Sequence, residues 1–166
     1  FVDHADPYAF YSEMRPGTAS KTYALGGYEF GDSKWLKNRK ASYDKPVNIY
    51  EMHFGSWKKR GEGQEDWYTY EELAPILITY LKEHGYNYVE IMPLCEYPFS
   101  PTSRYGKPEE LKAFVDQCHQ AGIGVILDFV PVHFAVNDYA LAEYDGTALY
   151  EYPNMAVGRN EWGSCN

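Results

Sequence analysis

Asp128 and His133 are the first residues of this sequence whose types and spacing could do chemistry. Asp128 lies within the apolar run 123–130, and His133 follows five residues later. If that run is a buried strand, Asp128 emerges where the strand leaves the core, and its carboxylate needs hydrogen bonds because burying it bare is costly. A neutral histidine can donate one hydrogen bond and accept another, which suits a hydroxyl-bearing ligand such as a sugar. A structural role, with Asp128 bracing the loop and His133 satisfied internally, stays open beside the binding role.

Two further strand ends carry polar or aromatic candidates. Glu96 and Tyr97 follow the run 88–93 and could reach the mouth of a site, although Glu96 could equally brace a loop. His53 and Trp57 follow the run 47–53, and for these two core packing is the favoured interpretation. The patterns typical of a serine-hydrolase elbow, a phosphate-binding loop and a zinc protease helix are all missing. The pair Cys118-His119 is interpreted as structural.

Alternating strands and helices would position these residues. Strands are predicted at 47–53, 88–93 and 123–130. Thr69 and Glu72 fit a capping box that begins the first helix. The helix-spaced apolar residues after it are Leu73, Ile76, Leu77, Tyr80 and Leu81. This order predicts an α/β fold with parallel strands, whose carboxyl ends are the usual place for a site.

A second helix is predicted to begin near Pro108-Glu109-Glu110, because proline suits the first helical position and acids suit the positive end of the helix dipole. Gly85 and Gly122 stand where left-handed C-terminal caps would fall. The third strand is apolar almost throughout, as a strand covered on both faces should be. The pattern alone does not separate part of a barrel from an open doubly wound sheet. Three strands cannot close a barrel, so exposed apolar edges are expected.

Composition narrows the classes of ligand. Aromatic residues make up 17% of the chain, led by seventeen tyrosines, and such amphipathic rings suit sugar faces as well as half-wet cores. The net charge of −9 argues against nucleic acid or an anionic membrane, which require clustered Lys and Arg. Three widely spaced cysteines indicate no disulfide framework or zinc knuckle, and a reducing compartment is the simplest expectation. No membrane-length apolar run and no signal peptide are visible, and the missing initial Met suggests that the true N-terminus lies elsewhere.

Residues 1–45 differ in pattern from residues 46–166. The first part has short runs broken by turn formers such as Asp6-Pro7 and Pro16-Gly17, which suit strand ends and surface connections. Residues 34–45 are polar and basic and are interpreted as a linker or a solvated face. The boundary between two domains is therefore predicted near residue 45.

The segment VILDFVPVHF, residues 125–134, resembles the first signature region of the α-amylase superfamily, glycoside hydrolase family 13. Its Val-Pro-x-His-Phe form is typical of the glycogen branching enzymes and their near relatives. Four further segments resemble the same enzymes: NIYEMHFGSWKK (48–59), YVEIMPLCEYPF (88–99), FAVNDYALAEYDGTALYEYPN (134–154) and ADPYAFYSEMRPGTAS (5–20).

The resemblance implies both a fold and a reaction. It implies that residues 46–166 form the opening part of a (β/α)8 barrel and that residues 1–45 are the end of an N-terminal β-sandwich of carbohydrate-binding type. It also implies that an α-1,4 glucan is cleaved and passed to a 6-hydroxyl, making an α-1,6 branch by a retaining double displacement. His133 would hydrogen-bond the sugar at the cleavage position, and Asp128 would organise the site beneath it. The implied partner is an α-glucan such as glycogen, with no cofactor, no metal, no nucleic acid and no membrane, in the cytoplasm.

The sequence departs from the family at two places. The family's nucleophilic Asp and acid/base Glu match no residue up to Asn166, so no catalytic residue is assigned within this chain. The stretch 99–106 is also about a dozen residues shorter than in relatives, at a strand end where a site loop is expected. A debranching or trehalose-releasing hydrolase on the same scaffold, and a non-catalytic glucan-binding protein, remain alternatives.

Overall fold

The computed structural model describes residues 4–39, 45–95, 101–129, 139, 141, 143–150 and 152–154. Within them, the helices are α1 (Ser33–Asn38), α2 (Phe54–Trp57), α3 (Tyr70–Glu83) and α4 (Pro108–Gln120), and a 3₁₀ turn covers Ser103–Tyr105. The strands are β1 (Ile49–Met52), β2 (Tyr88–Ile91) and β3 (Gly124–Leu127).

The three strands form one parallel sheet in the order β1-β2-β3, which confirms the α/β fold and the parallel pairing predicted from the sequence. Met52 pairs with Ile91, and Ile91 pairs with Leu127, so the strands end at the same level. Each strand is shorter than its apolar run. For β2 one reason is Pro93, which has no N–H to donate to a neighbouring strand.

Helix α3 begins as its sequence predicts. The backbone N–H of Glu72 donates to Thr69 Oγ1 at 3.3 Å, and the backbone N–H of Thr69 donates to Glu72 Oε2 at 2.9 Å. This capping box satisfies two N–H groups that lack partners within the helix. After the helix ends, Gly85 takes a φ of 76°, which confirms its predicted left-handed conformation.

Helix α4 also begins and ends where predicted. Pro108 is its first residue, and the Glu110 carboxylate accepts the backbone N–H of Lys107 at 3.0 Å. Gly122, just past the helix, has a φ of 83°. A glycine can adopt this conformation without the clash that a Cβ would cause.

The core lies between the sheet and the helices α3 and α4. One face of the sheet contributes Met52, Val89 and Ile91 to it. The predicted stripe of α3 is confirmed, because Leu73, Leu77 and Leu81 are fully buried there. Helix α4 adds Phe114 and Cys118 to the core. The ring of Phe54, in α2, packs in the same core against the rings of Tyr70 and Tyr105. Each such buried apolar side chain stabilises the fold by about 1.5–3 kcal/mol relative to exposure.

The expectation that β3 is covered on both faces is wrong for this chain. Leu127 pairs with the buried Ile91 but is itself 49% exposed. Within the described residues no further strand pairs with β3, although helix α4 packs against it. The exposed apolar edge that three unclosed strands should have is therefore present.

The chain divides into two compact units. One comprises Phe1–Tyr23, Cys95–Thr102 and Phe129–Asn166, and the other comprises Ala24–Leu94 and Ser103–Asp128. In the described part of the first unit, Ser12 and Ser20 form an isolated antiparallel bridge. Turns close at Asp6 to Ala9 and Met14 to Gly17, where turn formers predicted them. The β-sandwich and the boundary near residue 45 stay predictions.

Residues 28–38 pack on helix α4 within the second unit, an arrangement that the sequence did not reveal. Asp32, only 5% exposed, bonds to His119 Nδ1 at 2.7 Å, and the ring of Trp35 stacks on that imidazole. This confirms the structural interpretation of His119. Part of the predicted linker is thus the short helix α1, held against α4.

Candidate functional site at the carboxyl edge of the sheet

Asp128 lies where predicted, directly after the last residue of β3. Its backbone N–H donates to the carbonyl of Ile91 at 3.0 Å, so the neighbouring strand still holds this position. Its side chain is half-buried. No hydrogen bond or ion pair joins its carboxylate to any group in the described part of the chain. The neighbouring strand therefore fixes the backbone at Asp128, while the carboxylate is unpaired within the described residues.

His53 and Met92 follow the last residues of β1 and β2 as Asp128 follows β3. The N–H of Met92 donates to the carbonyl of Met52 at 3.0 Å, which keeps the register to the end of the strand. Met52 is buried against the helices, and side chains alternate along a strand, so His53, Met92 and Asp128 all belong to the opposite face. These three residues, one from each strand, form a row that we call the edge row.

The same face continues as a pair of glutamates one step back from the edge row. Glu51 and Glu90 are register partners on adjacent strands, the first exposed and the second half-buried. Like charges opposite each other are unfavourable, so this pair is not explained by pairing between strands alone. Sequence reasoning missed it, although the alternation of polar Glu51 and Glu90 with apolar neighbours was a usable signal.

Trp57 and His53, the two candidates predicted at the end of β1, lie in different surroundings. Trp57 packs against the core and donates its Nε1–H to Tyr50 Oη at 2.8 Å, which confirms the predicted packing role. His53 is exposed, so its predicted core packing is wrong. The physical reason is the alternation of side chains along the strand, which puts His53 on the face opposite the buried Met52.

Gly55, close to His53 at the start of α2, is required by packing. It lies inside helix α2 and is buried, where a Cβ would run into the ring of Tyr105. A larger side chain at this position would displace that ring.

His133, Glu96 and Tyr97 lie outside the described residues. The structure neither joins His133 to Asp128 nor separates them, and the predicted pair stays a prediction. The same holds for the reach of Glu96 and Tyr97 to a site.

Thiol chemistry is disfavoured at the cysteines that the structure describes. Burial raises the pKa of the Cys95 thiol and raises that of Cys118 to about 12. Both thiols therefore stay protonated at neutral pH, and a protonated thiol is a poor nucleophile. Within the described ranges, no three His, Cys, Asp or Glu side chains are grouped to hold a metal ion. The edge row instead offers hydrogen-bonding groups and an apolar surface, Met92 being 40% exposed.

None of the helices in the described part of the chain has both the length and the apolarity needed to cross a membrane.

The parallel α/β segment resembles part of known amylase-type structures. Its fold aligns with a 1.4 Å crystal structure of a Salmonella typhimurium protein provisionally described as an alpha amylase, with a TM-score of 0.67 and 26% identity. The match covers 84% of this chain and 24% of that one. The chain thus has the α/β architecture of a segment of the α-amylase superfamily.

Sequence comparison narrows the class further. The chain is 50% identical to the 1,4-alpha-glucan branching enzyme GlgB of Geobacillus stearothermophilus and 49% identical to that of Bacillus subtilis (strain 168), over 98% of its own length in both cases. No family model matches the sequence. The resemblance to branching enzymes is thereby confirmed over the segment that the chain spans.

The match is partial in two respects. The chain spans about a quarter of the length of these relatives, 27% and 28%. The alignments extend over 177 positions, while the chain has 166 residues, so the relatives contain at least eleven residues within the matched stretch that this chain lacks. That difference agrees with the expectation of a shortened loop in this sequence.

Proposed function

We propose that the polypeptide carrying this chain is a 1,4-alpha-glucan branching enzyme. It cleaves an α-1,4 glucan, holds the chain as a covalent glycosyl-enzyme intermediate and transfers it to a 6-hydroxyl, with retention of configuration. The observation that carries the proposal is the 50% identity over 98% of the chain. The placement of Asp128 at the carboxyl edge of a parallel sheet supports it, because α/β folds of this kind keep their sites there.

The finer architecture is part of the same proposal. Residues 46–166 are the opening portion of a (β/α)8 barrel, and residues 1–45 are the end of an N-terminal β-sandwich module with its linker. Support comes from three parallel strands in chain order, joined through α3 and α4. The exposed Leu127 then faces elements that a closed barrel would supply.

Within this proposal Asp128 and His133 bind substrate, and no catalytic residue belongs to residues 1–166. His133 hydrogen-bonds the sugar at the cleavage position, and Asp128 organises the site through its unpaired carboxylate. The nucleophilic Asp and the acid/base Glu come from further strands of the barrel. The partner is an α-glucan in the cytoplasm, a neutral polymer compatible with the net charge of −9.

The test is the formation of α-1,6 linkages in amylose, measured on the full-length polypeptide by NMR and by chain-length profiles after debranching. The variant Asp128→Asn should lower the branching rate about 100-fold or more, as losses of site-organising groups do. Its thermal stability should change little, because the carboxylate has no partner within the described residues. The matched control Asp145→Asn, at an exposed turn, should branch normally.

Other products would point to the alternatives. Release of reducing sugar or trehalose without new branches would indicate a hydrolase on the same scaffold. Glucan binding with no turnover would indicate a non-catalytic protein. Either result would contradict the proposed transfer reaction.

A further inference from the structure

His53 is an exposed histidine at the carboxyl edge of the sheet, in the edge row with Asp128. One strand separates β1 from β3, so the two backbones lie about 10 Å apart at twice the usual strand spacing. His53 belongs to the same face of the sheet as Asp128. A ligand lying along this edge would meet both side chains.

The backbone of His53 is held firmly. Its carbonyl accepts the N–H groups of Ser56 and Trp57 at 3.2 and 3.0 Å, which begins helix α2. The next residue, Phe54, is 1% exposed and anchors the helix in the core. A binding residue on such a rigid element meets a ligand with little loss of conformational freedom.

The imidazole itself is oriented by a neighbour. Nδ1 of His53 lies 2.9 Å from Ser56 Oγ, at hydrogen-bond distance. This contact occupies one ring nitrogen and leaves Nε2 without a hydrogen-bond partner within the described residues. A histidine with one nitrogen engaged presents the other as a donor or acceptor of defined direction.

Two other histidines show what a structural imidazole looks like in this protein. Nδ1 of His84 lies 2.8 Å from the carbonyl oxygen of Tyr80, and the two rings stack with their centroids 4.2 Å apart. His119 pairs with the buried Asp32 and stacks on Trp35. His53 has neither a ring partner nor a buried partner within the described residues, so packing does not account for it.

We propose that His53 is a second glucan-binding residue, which hydrogen-bonds a sugar hydroxyl through Nε2, and that Ser56 is its positioning residue. The inference rests on the proposed function. It gives the glucan a second contact, from His53, at the end of the edge row opposite Asp128. It concerns binding of the α-1,4 glucan chain and not the bond-breaking step.

The test measures binding and turnover separately on the full-length polypeptide. Calorimetric titration with maltoheptaose gives the Kd, and branching of amylose gives KM and kcat. His53→Ala should raise Kd and KM about three- to tenfold, the effect of one hydrogen bond, while kcat stays within about twofold. His53→Gln, whose amide can still donate and accept, should recover part of the loss.

Variants of Ser56 test the positioning role. Ser56→Ala should raise Kd in the same direction but by less, and Ser56→Thr, which keeps the hydroxyl, should restore it. The control His84→Ala removes an exposed imidazole from the end of α3 and should leave Kd and KM unchanged.

The outcomes separate this inference from the proposed function. An unchanged Kd in His53→Ala, with or without a lower melting temperature, would overturn the inference even if the wild-type polypeptide branches amylose. Weaker maltoheptaose binding in His53→Ala would support it even if no branching were observed, a result that would remove only the proposed reaction. Absence of maltoheptaose binding to the wild type would overturn it as well.

Discussion

Asp116 and Asp128 show how the surroundings of a carboxylate distinguish a structural role from a binding role. Asp116 is 4% exposed and accepts hydrogen bonds from the Gly31 N–H and the Tyr28 hydroxyl. Asp128 is half-buried and has no such partner among the described groups. Since a buried charge must be compensated, the hydrogen bonds explain Asp116 as a structural residue, whereas the binding role of Asp128 is the proposal made above.

The environment of Asp116 also determines its titration. Burial alone would raise the pKa of this carboxyl, but hydrogen bonds from Gly31, Gln120 and Tyr28, with the nearby His119, bring its pKa below the ordinary value. Burial and the hydrogen bond to Asp116 raise the pKa of Tyr28 to about 12. Because the folded-state pKa of Asp116 lies below the unfolded value, its ionised carboxylate stabilises the fold at pH values above the unfolded pKa of about 4. This stabilisation is lost as the pH falls through the folded-state pKa.

We therefore expect Asp116→Asn to lower the free energy of unfolding at pH 7 by about 1–3 kcal/mol, because it removes a charge that its donors are arranged to compensate. Urea unfolding at pH 7 and pH 3 measures this, and the difference from wild type should shrink at pH 3. The exposed control Asp145→Asn should change stability by less than about 0.5 kcal/mol. A deficit of equal size at both pH values would show that the charge of Asp116 is not responsible.

At the scale of the elements, the capping box of α3 supports the helix through two reciprocal hydrogen bonds between Thr69 and Glu72. The backbone hydrogen bond from Thr69 also lowers the pKa of Glu72. Thr69→Ala should destabilise the protein by about 1 kcal/mol, since a cap of this kind contributes that much. Thr69→Ser keeps the hydroxyl and should retain most of the stability in thermal or urea unfolding. Equal losses in both variants would contradict a capping role.

The two glycines after α3 and α4 give a second prediction for the elements. Gly85 and Gly122 have left-handed backbones with open space around them, so alanine there meets no neighbour and tests the backbone alone. Each glycine-to-alanine substitution should cost about 1 kcal/mol in the free energy of unfolding. Gly26, which also has open space but no left-handed φ, is the matched control, and Gly26→Ala should be near neutral. A loss at Gly26 equal to that at Gly85 would refute the explanation.

At the scale of the whole molecule, the exposed apolar edge of the sheet should make the 166-residue chain self-associate. Leu127 is 49% exposed on the end of β3, and uncovered strands carrying such residues template further pairing. Sedimentation velocity over a range of concentrations should show association, which Leu127→Lys reduces. Leu149 is similarly exposed but lies outside the three strands, so Leu149→Lys is the control and should have a smaller effect. A monomeric chain at all concentrations would contradict this prediction.

The 166-residue chain by itself should also form no α-1,6 branches, because the retaining double displacement requires two carboxylates that the proposal assigns to other strands. Incubation with amylose and NMR of the product measure this directly. Branching by the isolated chain would show that its own carboxylates, Glu51, Glu90 or Asp128, carry the reaction. The proposal for the site would then have to be replaced.

Much of the local structure could be predicted from the residues themselves. The capping box, the apolar stripe of α3 and the glycines after both helices all depend on groups within a few positions of one another. The parallel pairing followed from the alternation of strands and helices along the chain, which requires crossover connections. Such contacts are set by the helix period, the strand period and the conformations that proline and glycine permit, so spacing alone is informative. The position of Asp128 after β3 followed from the same reasoning.

Only the tertiary structure decided which distant groups meet. Asp32 and His119 lie 87 positions apart, and no local pattern indicates that they pair. The requirement for glycine at residue 55 comes from the ring of Tyr105, fifty residues away. The exposure of His53 and Leu127 likewise depends on what packs over each strand end, which a run of residue types does not contain. Local periodicity specifies the elements, whereas packing between them determines which side chains remain free to bind.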